Sequence, residues 1–173
     1  MTLSWIDRRR LRIANLLGFL VCAALIAGAY YMEFVVGLEP CPLCMLQRVA
    51  LAGLGLVFLL AFLHGPRAWG RHVYGVLVLL TAGVGTAVAG RHVWLQSLPP
   101  EEVPACGPGL DYMLDTFPLT QTLRMVLEGS GECAEVHLAF GLSIPIWTLG
   151  AFIVIGLFGI WANMKPRERA IWL

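Results

Sequence analysis

Cys41 and Cys44 flank the dipeptide Pro42-Leu43, and Arg48 follows four residues after Cys44. Two thiols with two residues between them can close a tight disulfide, act as a thiolate pair or hold a metal ion. Residues at i and i+4 share one face of a helix, so a helix starting here would set the Arg48 cation to pair with the Cys44 thiolate or with an anion beside it. An apolar run, 45–63, begins directly after the motif, which puts redox-type chemistry at the edge of a very hydrophobic element. Further groups capable of chemistry stand far downstream: His92, Cys106 and Cys133.

The elements that must position these groups are membrane spans. Of 173 residues, 58% are apolar and 13% charged, and the mean hydropathy is +0.76, values outside the make-up of a soluble domain. Four apolar runs, 13–32, 45–63, 73–90 and 145–162, have spanning length, since a helix of such a run covers about 27–30 Å, near the hydrocarbon thickness. The expected fold is an all-α membrane protein, a four-helix transmembrane bundle forming a single membrane domain. Its outward loops are 33–44 and 91–144, the longer one lying between spans three and four.

Orientation follows from the basic residues, which favour the cytoplasmic side. Arg8, Arg9, Arg10 and Arg12 precede the first span, Arg67 and Arg71 lie between the second and third, and Lys165, Arg167 and Arg169 follow the fourth. Both termini are therefore expected in the cytoplasm. The opposite side carries most of the acids, Glu33 and Glu39 among them. The net charge of +1 conceals this asymmetry, and no nucleic-acid surface is indicated. A first apolar run of about 20 residues is longer than a signal-peptide core, so the first span is expected to be retained. All six tryptophans, Trp5, Trp69, Trp94, Trp147, Trp161 and Trp172, fall near span ends or in flanks, where indole rings prefer the headgroup layer.

Within the spans, Ala23, Ala24, Ala27 and Gly28, and then Gly75, Gly83, Gly85, Gly90, Thr81 and Thr86, are expected to let neighbouring helices approach closely. Cys22 among them reads as an inert packing residue. Pro40 and Pro42 favour extended backbone ahead of the second helix, which puts Cys44 near a helix N-terminus where unpaired N–H groups favour an anion. His64 and His72, in the cytoplasmic turn, lack a matching ligand set. In the long loop, Pro99, Pro100 and Pro104 keep the chain extended up to Cys106, as for a strand that can lie in another protein's groove. Leu119, Leu123, Val126 and Leu127 have helical spacing and can lie along the membrane surface.

Cys41, Cys44, Cys106 and Cys133 all fall on the outward side. On an oxidising face they can persist as disulfides, and four cysteines allow three pairings that spacing alone leaves open. A bridge between Cys106 and Cys133 would brace a flexible loop, worth somewhat over 3 kcal/mol in chain-entropy terms. A bridge between Cys41 and Cys44 closes almost nothing, so that pair reads as reactive. A zinc tetrathiolate fits poorly, because Cys106 and Cys133 do not form a second closely spaced pair. Haem attachment requires histidine after the second cysteine, and Met45 stands there.

Pro40-Cys41-Pro42-Leu43-Cys44 with Arg48 at the second span, His92 ending the third, Cys106 and Cys133 in the long loop, and Gly131-Glu132-Cys133-Ala134-Glu135 leading to Pro145-Ile146-Trp147 together resemble the DsbB family of bacterial inner-membrane disulfide bond formation proteins. The resemblance runs nearly the whole length. It implies a quinone-dependent protein thiol oxidoreductase, with ubiquinone or menaquinone as cofactor and no metal. The partners implied are a periplasmic DsbA-like thiol oxidoreductase, membrane lipid and the respiratory chain through the quinone pool. The implied pairs are Cys41 with Cys44 and Cys106 with Cys133. Cys106 would receive the partner's attack, Cys133 would be released to attack Cys41, and Cys44 would leave as a thiolate and pass electrons to the quinone. Arg48 would hold the thiolate and a quinone oxygen, with His92 on the quinone side. Glu101 and Glu102 make the strand before Cys106 acidic, which would alter partner contacts. The rival readings are a vitamin-K-epoxide-reductase-like protein, in which the motif is expected late in the bundle, and a membrane scaffold braced by two disulfides.

Overall fold

The computed structural model describes residues 5–66, 69–105, 107, 109–139 and 141–164. Cys106, Arg67, Lys165, Arg167, Arg169 and Trp172 lie outside the described residues. Four long apolar helices form the bundle: α1 (Trp5–Phe34), α2 (Pro42–His64), α3 (Trp69–Gln96) and α6 (Ile144–Met164). Each contains one expected span, and each is long and apolar enough to cross a membrane. α1 has 30 residues and α3 has 28, so at a rise of about 1.5 Å per residue both exceed a hydrocarbon layer of roughly 30 Å. The helix that carries the third expected span, 73–90, runs on to Gln96, so His92 stands on α3.

A repeat of alternating three and four residues decides which faces meet. In α2 the buried positions include Gln47, Leu51, Leu54, Phe58 and Ala61, and in α3 they include Gly75, Val78, Ala82, Gly85, Ala89 and His92. This spacing keeps an apolar seam on one side of a helix, the geometry of left-handed bundle packing. α3 packs most extensively on α6, followed by α1 on α2 and α2 on α3. The core holds Phe58 and Phe152, both 0% exposed. Phe58 fills space left by Gly18 and Gly159, and the Phe152 ring lies against Gly85.

The small-residue expectation is met at Gly75, which faces Met164, and at Gly85. It is corrected at Gly28, Gly83 and Gly90, where a Cβ would meet nothing within 4 Å. Ala24 and Ala27 are also exposed. The contact face of α1 is set instead by Gly18 and Cys22, the latter packed on Gly55. Small residues off the seam simply face outward.

At the end of the bundle that holds the N-terminus of α1, Asn15 and Asn163, each 0% exposed, exchange amide hydrogen bonds of 3.1 and 3.4 Å. Each amide also donates to the carbonyl four residues before it, Leu11 at 2.8 Å and Gly159 at 2.9 Å. The pair fastens α1 to α6. Asn163→Leu leaves the buried Asn15 Oδ1 without its donor, and a loss of about 1–3 kcal/mol is expected. Leucine at both positions is expected to recover part of it, measured by a double-mutant unfolding cycle.

The long loop folds over one end of the bundle. Its elements are α4 (Leu110–Thr116), α5 (Leu119–Glu128) and a hairpin of β1 (Leu138–Ala139) with β2 (Leu142–Ser143). In the hairpin, Leu138 pairs antiparallel with Ser143, and Gly141 at φ +85 supplies the left-handed turn. α5 realises the spacing of Leu119, Leu123, Val126 and Leu127; only Val126 of these four is buried. Arg91 on α3 donates to the carbonyls of Leu127 at 3.2 Å and Glu128 at 3.0 Å. It thereby satisfies the free C-terminal carbonyls of α5 with a cation.

Candidate functional site

Pro42 opens α2, where a missing N–H costs nothing and its fixed φ suits the first turn. Cys41 is the N-cap, extended at φ −67 and ψ 163, and its Sγ accepts from the Cys44 N–H at 3.4 Å. Both thiols of the motif thus stand at a helix N-terminus, in keeping with the two prolines. Their sulfurs are 3.3 Å apart, a reduced pair in hydrogen-bonding contact.

His92, 2% exposed, lies against this pair. Its Nε2 is 3.8 Å from Cys41 Sγ and its Nδ1 is 4.0 Å from Cys44 Sγ. Two further contacts fix the ring: the Gln47 side-chain amide at 3.0 Å from Nδ1 and the Cys133 carbonyl at 3.1 Å from Nε2. The set is satisfied by a neutral imidazole that donates from Nε2 to the carbonyl and accepts at Nδ1. His92 therefore meets the thiols from inside the bundle. Gln47, 4% exposed, is a site residue that the motif and its spacing do not reveal. Its one signal is the seam of α2, where it occupies a core position one turn before Leu51.

Cys133 is 0% exposed and belongs to a cluster with Leu43, Val88, Leu95, Met113 and Val126, against which Cys41 packs. Its carrier is a single helical turn, Gly131–Ala134, tied to the start of the loop by a bond from the Gly131 N–H to the Ala105 carbonyl at 3.3 Å. The residue preceding Cys106 is thereby held against the turn that carries Cys133. A hydrogen bond to Cys41, followed by burial, pushes the Cys133 thiol well above the ordinary thiol range.

A group that keeps its proton more tightly in the native state contributes stability that is fully present below the ordinary thiol pKa and is lost as pH rises through the native value. In the reduced protein, alkylation of Cys133 by iodoacetamide is expected to stay far slower than that of a free thiol from about pH 8 to 9 and to rise only at more alkaline pH. Cys41→Ala is expected to move that rise to lower pH, as read by mass spectrometry of the labelled peptide.

Arg48 is held from the α1 side. Its guanidinium forms a salt bridge with Glu33 of α1, donates to the Ala29 carbonyl at 3.2 Å and lies 5.1 Å from the Tyr30 ring. In this reduced state its ion-pair partner is the Glu33 carboxylate, and Arg48 stands one helical turn from Cys44 along α2. The cause is the helical register: Gln47 occupies the seam, so Arg48 turns toward α1, where a carboxylate and a carbonyl stand at its level. In the sequence Glu33 stands out only as part of the outward acidic bias. Among the described residues, Cys41, Cys44, His92 and Cys133 come together, with Arg48 one turn further along α2.

This arrangement can carry out thiol–disulfide exchange between Cys133 and the Cys41–Cys44 pair, with an imidazole in reach of both members of the pair. A quinone head group has a flat apolar ring and two carbonyl acceptors. The half-buried Arg48 guanidinium, beside Tyr30 and followed on α2 by the exposed Val49, offers donors within apolar surroundings, so the chemistry of the donor set fits such a group.

A family model described as disulfide bond formation protein DsbB matches residues 11–162. The chain is similar to Disulfide bond formation protein B of Marinobacter nauticus, 58% identical over 90% of this chain and 93% of that one. It is likewise similar to the protein of that name from Nitrosococcus oceani, 55% identical over 89% and 92%, and to that of Methylococcus capsulatus, 51% identical over 89% and 96%. With the four-helix bundle and its cysteine pair already in view, the chain belongs to the DsbB family of disulfide bond formation proteins.

Proposed function

We propose that the protein reoxidises a DsbA-like dithiol oxidoreductase and delivers the electrons to a membrane quinone, ubiquinone or menaquinone. The single observation that carries this reading is the packing of Cys41, its sulfur 3.3 Å from that of Cys44, against the buried cluster that holds Cys133. The three sulfurs lie in the order an exchange relay needs.

In the oxidised protein Cys41 is joined to Cys44 and Cys106 to Cys133. A thiolate of the partner attacks Cys106, the Cys106–Cys133 bond breaks, and Cys133 leaves with the electron pair. The partner's second thiol then resolves the mixed disulfide, so the partner is oxidised and Cys106 is reduced. Cys133 attacks Cys41, and Cys44 leaves as a thiolate at the helix N-terminus, where N–H groups stabilise it. Cys106 then displaces Cys41 from Cys133, which restores the Cys106–Cys133 bond and leaves the pair of α2 reduced. His92 exchanges protons with Cys41 and Cys44. Quinone, when bound, supplies the two-electron and two-proton sink. Arg48 and Cys44 are the residues that would hold it, with His92 acting from the thiol side. The membrane in this reading is the bacterial inner membrane, with both termini cytoplasmic and the four cysteines periplasmic.

The test is a labelling experiment on native membranes supplied with a reduced DsbA-like donor. With quinone present, Cys41 and Cys44 are expected to resist a thiol reagent. After quinone extraction both are expected to become labelled. A labelling pattern indifferent to quinone would refute the reading.

A further inference from the structure

We propose that the reduced centre is a binding site for one soft or borderline divalent ion of the zinc or cadmium type, with Cys41, Cys44 and His92 as ligands and the fourth position left to water. Cys41, Cys44 and His92 offer donor atoms that all lie within 4.8 Å of one another. Tetrahedral zinc, with bonds of about 2.3 Å to sulfur and about 2.0–2.1 Å to nitrogen, sets its donors roughly 3.5–3.8 Å apart. The observed separations are 3.3 Å between the sulfurs and 3.8 and 4.0 Å from sulfur to ring nitrogen. The two nitrogen distances are to different ring atoms, Nε2 for Cys41 and Nδ1 for Cys44. With a single ring nitrogen as ligand the three donors lie within 4.8 Å of one another, and shifts of about an ångström bring them to the tetrahedral spacing.

The surroundings favour the ion as well. A ligating histidine keeps its orientation when its other ring nitrogen has a partner. If Nδ1 takes the ion, Nε2–H donates to the Cys133 carbonyl already at 3.1 Å. If Nε2 takes it, Nδ1–H meets the Gln47 amide, now 3.0 Å away, turned to present its oxygen. Leu43, Val88 and Leu95 exclude water around Cys133. On binding, the two thiols release their protons to solvent and the histidine binds neutral. No electrons move, so neither oxidant nor reductant is required.

Closing the Cys41–Cys44 disulfide removes the thiolates, so binding is confined to the reduced state. The occupied centre is held reduced. This consequence rests on the thiol-oxidase reading, whereas the site itself does not. An ion in the periplasm would thus withdraw the protein from turnover in its reduced form.

The test is a cadmium titration of the purified, phosphine-reduced protein in detergent, followed by sulfur-to-cadmium charge-transfer absorbance. One equivalent is expected to bind with the absorbance of two thiolate donors, and the signal is expected to vanish in protein oxidised with diamide. Cys41→Ser and His92→Ala are expected to abolish or greatly weaken it. Gln47→Ala is expected to weaken it by about tenfold, as for loss of an outer partner. Cys22→Ser is expected to leave it unchanged. Equal binding by oxidised and reduced wild type overturns the site without relying on any variant. Indifference to Cys41→Ser and His92→Ala in folded protein overturns it too. Cadmium binding in protein that shows no thiol oxidation would uphold the site and refute only the consequence for turnover.

Discussion

Cys44→Ser is expected to abolish quinone reduction driven by a reduced DsbA-like donor, a fall of roughly a thousandfold or more, as when an acting nucleophile or leaving group is removed. Serine keeps the size and polarity of the side chain, so the helix start and the packing of Leu43 are retained. An alkoxide is too poor a leaving group to take the place of a thiolate. Cys41→Ser is expected to be equally severe, because the Cys41 sulfur is 3.3 Å from that of Cys44 and Cys41 packs against the cluster that holds Cys133. Cys22 supplies the control. It is 1% exposed in the core and packs on Gly55, remote from the exchange chemistry, so Cys22→Ser is expected to keep turnover within about twofold. Stopped-flow absorbance of the quinone checks all three variants.

The largest effect on stability is expected at Gly85. The Phe152 ring occupies the space a side chain would need there, and this contact lies in the most extensive helix interface, α3 on α6. Gly85→Leu is expected to cost about 3 kcal/mol or more, the upper part of the overpacking range, and to prevent recovery of folded protein at ordinary growth temperature. Gly83, two residues earlier, is exposed, and a Cβ added there would meet nothing within 4 Å. Gly83→Leu is expected to be neutral or mildly stabilising, since it replaces a helical glycine on an outward face. Thermal unfolding in detergent, run on the two variants side by side, separates steric fit from general sensitivity of α3.

Much of this was legible in the chain. Hydropathy marks four spans because a hydrocarbon layer demands continuous apolar length, and the prolines around Cys41 locate a helix start because proline restricts its own φ and the residue before it. Span ends are less legible: α3 runs on through Arg91 and His92 to Gln96 because helix-forming residues continue past the point where hydropathy falls. The partner of Arg48 is hidden for a related reason. The i, i+4 relation to Cys44 is real, but it says nothing about α1, which brings Glu33 and Ala29 to the guanidinium. Gln47 is visible only through the seam that also carries Leu51, Leu54 and Phe58. His92 is found as a residue type at a span end, while its contact with both thiols depends on how α2 and α3 face each other. The meeting of Cys133 with Cys41 bridges a separation no local pattern encodes.

The most direct measurement is the stoichiometry of turnover by the purified wild-type protein, with reduced DsbA-like donor and a soluble quinone analogue, scoring donor disulfide and quinol together. The expected result is one quinol formed for each donor disulfide, lost when the quinone is omitted. Donor oxidation without quinol, or no oxidation by protein shown to be folded, would contradict a relay from Cys133 through Cys41 and Cys44 to the membrane quinone.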